Sequence, residues 1–217
     1  MQICNDCTFA LIADARMLPV MSLRDRKRAR TRQALIDAAA ELFERKGYDE
    51  TTIADITATA EIGARTFFSY FASKEELLFP DAAERVQAAV DAIATRDPAE
   101  GPAEVLLRAL SQVTATSDEM VSPLAALRLR MIQTVPAVRG RALQEQLRAQ
   151  REIAKHLAAA FPGQLDPVGA AALTGAFVGA VTGALQALLD NADGTDPAAL
   201  RTAMTTATEV ALAPWRR

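Results

Sequence analysis

Arg65-Thr66-Phe67-Phe68-Ser69-Tyr70-Phe71-Ala72-Ser73, followed by Lys74-Glu75-Glu76-Leu77-Leu78, is the stretch whose reading decides the fold. At about 100° per residue, Phe67 and Phe71 fall about 40° apart and share one helix face, so both can plug a core. Arg65, Thr66 and Ser69 lie on the opposite arc, with Phe68 and Tyr70 flanking it. A short helix held by aromatics, presenting small and basic groups outward, fits a major groove.

The residues before it extend the pattern. Leu35, Ala38, Ala39, Leu42 and Phe43 follow the i, i+3, i+4, i+7, i+8 spacing of one buried helix face. That spacing predicts a helix from about Ala29 to Lys46, ended by Gly47. Thr52 is a candidate N-cap with Asp55 three residues on, in the manner of a capping box. Ile53, Ile56 and Ala60 then face inward, and Ile62-Gly63 turns the chain into a new helix near Ala64. The N-terminus of the 52–60 helix, with the Thr51 and Thr52 hydroxyls, suits a phosphate. Ser73 is a candidate N-cap for a fourth helix, with Glu76 at its capping-box position. Pro80 interrupts that helix, either as a hinge or as a simple break followed by a fresh helix at Asp81.

The net charge of −3 exerts no global pull toward nucleic acid. Its local distribution does: Arg24, Arg26, Lys27, Arg28, Arg30 and Arg32 stand against the single acid Asp25. Such a run can neutralise phosphates or enter a minor groove, and Lys74 is placed to touch the backbone.

At these residues the chain resembles the TetR family of one-component transcriptional regulators. The resemblance rests on Ala39-Ala40-Glu41-Leu42-Phe43, Lys46-Gly47-Tyr48, Thr51-Thr52-Ile53, Ile62, Thr66-Phe67-Phe68-Ser69-Tyr70-Phe71 and Ser73-Lys74-Glu75-Glu76-Leu77. It implies an all-α protein of about nine helices: a three-helix helix-turn-helix head and a larger helical body that binds a ligand and dimerises. The implied domains are 22–79 and 80–217, with 1–21 a disordered or non-native extension. Carried over position by position, Arg65, Thr66 and Ser69 contact bases or nearby phosphates, and Tyr70 and Lys74 contact the backbone. Arg28, Arg30, Thr51 and Thr52 complete the expected DNA-binding set. Position 68 is usually tyrosine in the family. Phe68 lacks that hydroxyl, and Tyr70 is the candidate to replace its phosphate contact. Ala64 offers only an apolar contact, for instance to a thymine methyl. The Phe-Phe-x-Tyr-Phe spelling is similar to an actinobacterial subgroup, some of whose members answer to acyl-CoA-like ligands.

Downstream, prolines punctuate the sequence at Asp97-Pro98, Gly101-Pro102, Ser122-Pro123, Val135-Pro136, Asp166-Pro167 and Asp196-Pro197. Each disfavours helix at the residue before it. The implied body helices are 81–96, 102–117, 123–134, 136–160, 167–190 and 197–212. Apolar residues are 50% of the chain and aromatics 5%, a balance that favours packed helices.

Ala171, Gly175, Gly179, Gly183 and Ala187 recur every four residues, a flat stripe that lets another helix approach closely. With Leu200, Met204 and Ala207 of the last helix, they are the expected homodimer interface. A two-fold dimer would present two heads to a palindromic operator in double-stranded DNA. The expected ligand pocket takes Leu106, Leu110, Met120, Leu127, Met131 and Phe177, with Arg128, Arg130 and His156 as candidate polar anchors. The expected function is that of a cytoplasmic repressor released from its operator by a small molecule. A ligand-independent or activating regulator of the same fold stays open.

Two other function classes fit the residues poorly. His156 is the single histidine and has no nucleophile elbow near it, which argues against an enzyme. Cys4 and Cys7 lack a second pair, so no metal or cofactor is expected. Pro167 to Leu189 carries no charge, and its length alone allows a membrane span. It is rich in Ala, Gly and Thr and has no basic or aromatic border, so a buried helix at a helical interface is expected. Residues 1–20 fit no targeting signal: Asp6 and Asp14 interrupt the pattern, and Met17 and Met21 are further candidate starts.

Overall fold

The computed structural model describes residues 22–116, 122–189 and 197–216. Among them the chain is helical, with no strand. Helix α1 spans Leu23–Lys46, α2 Ile53–Thr59 and α3 Ala64–Phe67, and a 3-10 turn covers Glu75–Leu78. The remaining helices are α4 (Ala82–Ala94), α5 (Pro102–Thr116), α6 (Pro123–Thr134), α7 (Pro136–Ala160), α8 (Pro167–Leu189) and α9 (Pro197–Leu212).

Each helix from α5 to α9 begins with proline at its first position. The fixed proline φ suits that position, and the missing N–H would be unbonded there anyway. α1 starts six residues earlier than its apolar spacing implies. Ser22 caps it, accepting from the Asp25 amide at 3.1 Å. The Ser22 hydroxyl in turn donates to the Asp25 carboxylate at 2.7 Å. The basic run therefore lies on a continuous helix rather than an extended arm. α1 ends at Gly47, whose φ of 85° is open to glycine without a Cβ clash. Thr52 and Asp55 form the full capping box of α2.

The helix expected from Ser73 is instead the 3-10 turn. Glu76 reaches back to accept from the Ala72 amide at 2.6 Å, one residue before the expected cap. Pro80 ends this turn, and a fresh helix begins at Ala82.

The buried side chains form two clusters. The first gathers Leu35, Ile36, Leu42, Phe43, Ile56, Phe67, Phe71, Leu77 and Leu78 with Leu127, Met131 and Val138 from α6 and α7. The second joins α4, α5, α7, α8 and α9 around Leu106, Leu157, Leu173, Met204 and Leu212, all fully buried. Burying each such side chain contributes roughly 1.5–3 kcal/mol relative to exposure.

Candidate nucleic-acid interface and body cavity

Phe67 is fully buried and Phe71 nearly so, with ring centroids 5.9 Å apart. They fix α3 to α1 and α2 from beneath. Regular α-helix stops at Phe67, and the following residues close by tighter bonds, from the Ser69 amide to the Thr66 carbonyl at 3.0 Å and from the Tyr70 amide to the Phe67 carbonyl at 2.9 Å. Ala64, Arg65, Thr66, Phe68 and Ser69 are exposed on the outer arc. Phe68 stands out at 61% exposure, against 0% for its neighbour Phe67. Tyr70 is half-buried, its ring beneath the Arg28 guanidinium at 5.1 Å. Arg30 is exposed on α1. Arg32 turns inward instead, over the Phe71 ring at 5.5 Å and donating to the Pro80 carbonyl. Thr52 is exposed, but its hydroxyl is committed to Asp55.

Two of the expected backbone contacts have other work. Thr51 is fully buried, and its hydroxyl donates to the Gly47 carbonyl at 2.7 Å, so it closes the α1–α2 turn. The Lys74 ammonium donates to the Tyr48 carbonyl at 2.8 Å and the Thr51 carbonyl at 3.0 Å. It also sits 4.0 Å from the centre of the Tyr48 ring. Beside it, the Tyr48 hydroxyl donates to Glu75. Burial, then the Glu75 carboxylate, push the Tyr48 phenol far above its ordinary range. Burial would raise Glu75, but hydrogen bonds from Ser73 and Tyr48, aided by Lys74, hold its carboxyl below the usual value. Lys74 thus ties the turn after α1 to the segment after α3. Replacing it with methionine should cost about 1.5–3 kcal/mol of stability, the worth of hydrogen bonds to a charged group. The salt slope of DNA binding should hardly move. Chemical unfolding and a salt titration of DNA affinity check both. A slope smaller by about one per subunit, with stability intact, would return Lys74 to the phosphate.

A cavity of about 250 Å³ lies in the body, among α4, α5, α6, α7 and α8. Its walls are mostly apolar, including Val86, Leu110, Ile132, Ile153, Phe177, Val181 and Leu185. Arg85, Arg128, Glu145, Gln146 and Thr182 supply polar groups. Of the residues expected to form a pocket, Leu110, Arg128 and Phe177 line this cavity. Arg128 also donates to the Leu78 carbonyl at 3.3 Å. Leu106 is buried in the body core beyond the cavity wall. Leu127 and Met131, four residues apart on one face of α6, pack into the first cluster instead. With Arg130 they border a separate recess beside Phe43 and Glu44 of α1. Arg130 pairs with Glu44 at 3.2 Å on the surface. His156 pairs with Glu152 at 3.1 Å along α7, outside the cavity. Met120, Cys4 and Cys7 lie outside the described residues. Sequence reasoning missed Arg85, Glu145 and Gln146. On α4 and α7 they read as ordinary solvent-facing polar side chains until the neighbouring helices are in place.

Two family models match the chain: the bacterial regulatory proteins of the tetR family over residues 35–79, and the MftR C-terminal domain over residues 100–212. The second match covers more than half of the chain. The chain belongs to the TetR family of transcriptional regulators. A curated relative, the HTH-type transcriptional regulator TcmR of Streptomyces glaucescens, is 36% identical over 138 residues, 63% of this chain. The match spans 61% of that relative. Among solved structures, a TetR-family regulator from Syntrophomonas wolfei shares the fold at a TM-score of 0.62 and 18% identity, covering 85% of this chain and 96% of its own. FadR of Thermus thermophilus, a TetR-family repressor solved with lauroyl-CoA, does so at 0.52 and 20%, covering 83% and 93%.

TetR-family regulators are DNA-binding proteins rather than enzymes, and they act as dimers with small-molecule ligands. The surface of α8 bears on that. Gly179, Gly183, Ala171 and Ala187 are exposed and Gly175 is half-exposed, and a Cβ added at Gly175, Gly179 or Gly183 would meet nothing within 4 Å. Among the described residues, α8 is the one helix long and apolar enough to cross a membrane, yet only 28% of its most apolar window is buried in the protomer. Leu200 and Met204 depart from the expected interface. They are buried inside the protomer, because the large side chains of α9 turn toward the second cluster. Ala207 is half-buried, and the outer face of α9 carries Thr202, Thr206, Glu209 and Val210.

Proposed function

We propose that this TetR-family regulator is a homodimeric repressor, cytoplasmic, that grips a palindromic operator through two heads and is released when a small molecule fills the body cavity. The observation that carries the reading is the exposed arc Ala64, Arg65, Thr66 and Ser69, held rigid by the buried Phe67–Phe71 pair. Base contacts come from this arc, and Arg28, Arg30 and Tyr70 contact the backbone. The open glycine stripe of α8, with the outer face of α9, is the dimer surface. A two-fold axis there sets two heads against two half-sites.

The cavity is the effector site, with Leu110 and Phe177 as apolar wall and Arg128 as one polar anchor. An apolar wall with few polar groups suits an amphipathic ligand, and an acyl-CoA-like molecule is the class we favour. The lauroyl-CoA bound by FadR of Thermus thermophilus is in keeping with that choice. Release requires the ligand to bind the DNA-incompetent spacing more tightly than the competent one.

Sedimentation and displacement test this together. At micromolar concentration the protein should sediment as a dimer and carry two chains per operator. Lauroyl-CoA should displace it, while coenzyme A alone should not. Monomer alone would refute the interface, and an unaffected complex would refute the acyl-CoA class.

A further inference from the structure

Arg141 of α7 stands between the cavity and the DNA-reading segment. One of its nitrogens, Nη2, lies 2.6 Å from the Glu145 carboxylate and 2.9 Å from that of Glu76. Glu145 is part of the cavity wall. Glu76 belongs to the 3-10 turn, and its second oxygen accepts from the Ala72 amide at 2.6 Å. Ala72 directly follows Phe71, the residue that pins the recognition segment to the core. An unbroken line of polar contacts, Glu145–Arg141–Glu76–Ala72, therefore joins the cavity wall to the end of the DNA-reading segment.

The pairing within that line is incomplete. A guanidinium meets a carboxylate best through two parallel N–H bonds. Here one nitrogen is shared between two acids, and the buried Arg141 Nε has no partner among the described residues. A buried, unbonded N–H is costly, so an arrangement that satisfies it competes closely with the one observed. Two such arrangements suggest themselves: the fork turned wholly to Glu145, or wholly to Glu76. All three side chains are more than 70% covered, with exposures of 27%, 22% and 18% for Arg141, Glu76 and Glu145. Water therefore screens the choice only in part.

We infer that Arg141, held between Glu145 and Glu76, is the positioning residue through which occupancy of the cavity reaches the DNA-reading segment. The inference rests on the cavity being the effector site. A ligand that donates a hydrogen bond or a positive charge to Glu145 frees Arg141 for Glu76. The Glu76 carboxylate then swings with it, and the Ala72 amide loses or changes its acceptor. The recognition segment is thereby re-aimed relative to the body without any contact between ligand and head. Coupling of this kind needs a two-state element that both sites bias, and the shared guanidinium is one.

The test uses the full-length, 15N-labelled protein and the variant Glu145→Gln, which keeps the shape and removes the charge. The Ala72 amide resonance should move and its hydrogen-exchange rate should change. Operator affinity should shift by about two- to thirty-fold, the range of coupling carried by residues along such networks. Both effects should vanish when Arg141 is also replaced by methionine. Glu152→Gln, on the outer side of the same helix, should cause neither. An Ala72 amide that ignores Glu145→Gln but responds to Glu76→Gln would overturn the inference, because the line would stop at Arg141. The Ala72 readout needs neither DNA nor effector. A head that binds no palindrome would refute the proposed function without touching this result, and an unmoved Ala72 would refute this result alone.

Discussion

Phe67→Ala should destabilise the head by about 3–5 kcal/mol, the usual cost of truncating a fully buried phenylalanine. The ring has no exposed surface and is packed with Leu35, Ile56, Phe71 and Leu77. Phe68 meets it edge-on at 5.3 Å, so a stabilising ring pair is lost as well. The loss combines transfer of the ring to water with a cavity that a three-helix head has little means of closing. Domains of this size are stable by about 5–15 kcal/mol, so the variant should lose a large part of that margin. Urea unfolding reads the effect as a lower midpoint. Phe68→Ala is the matched contrast, since the same ring one residue on is largely in solvent. It should cost about 1 kcal/mol of stability, chiefly the shared edge-on ring pair, because little other surface is buried there. Equal losses at both positions would contradict the assignment of inner and outer faces.

Arg65→Ala should weaken operator binding by about 1–3 kcal/mol per half-site and relax specificity at one base position in each. Arg65 is exposed on the arc opposite Phe67, where a groove-facing helix carries its base contacts. The planar fork is the point of the argument. Arginine can meet the two acceptors of a guanine edge at once, whereas lysine brings a single point charge. Arg65→Lys should therefore keep most of the salt dependence and lose much of the specificity. Fluorescence anisotropy against a panel of single-base operator variants distinguishes the outcomes. A uniform loss across all sequences would make Arg65 a phosphate contact instead.

The helix boundaries were legible because their causes are local. Prolines at the first position of α5 through α9, Gly47 at the end of α1 and the Thr52–Asp55 box are each visible within four residues. Ser22 with Asp25 carries the same signal as Thr52 with Asp55, and reading it would have started α1 correctly. The Phe67 and Phe71 face followed from helical period alone. What the sequence did not reveal depends on partners distant in the chain. Lys74 looks like any cation at a helix start until the carbonyls of Tyr48 and Thr51 come within 3.0 Å. Leu200 and Met204 are apolar on any reading, and only packing decides whether they face their own protomer or a partner. Arg141 and Glu145 are an ordinary i, i+4 pair on α7, and only the turn at 75–78 brings Glu76 to them.

The most direct test of the central claim is selection from genomic fragments with the purified protein at two salt concentrations, beginning with the DNA that flanks its own gene. Enrichment of one palindrome, with binding that falls steeply as salt rises, is the expected result for two heads neutralising many phosphates. A soluble dimer that enriches no sequence at either salt concentration would contradict the account.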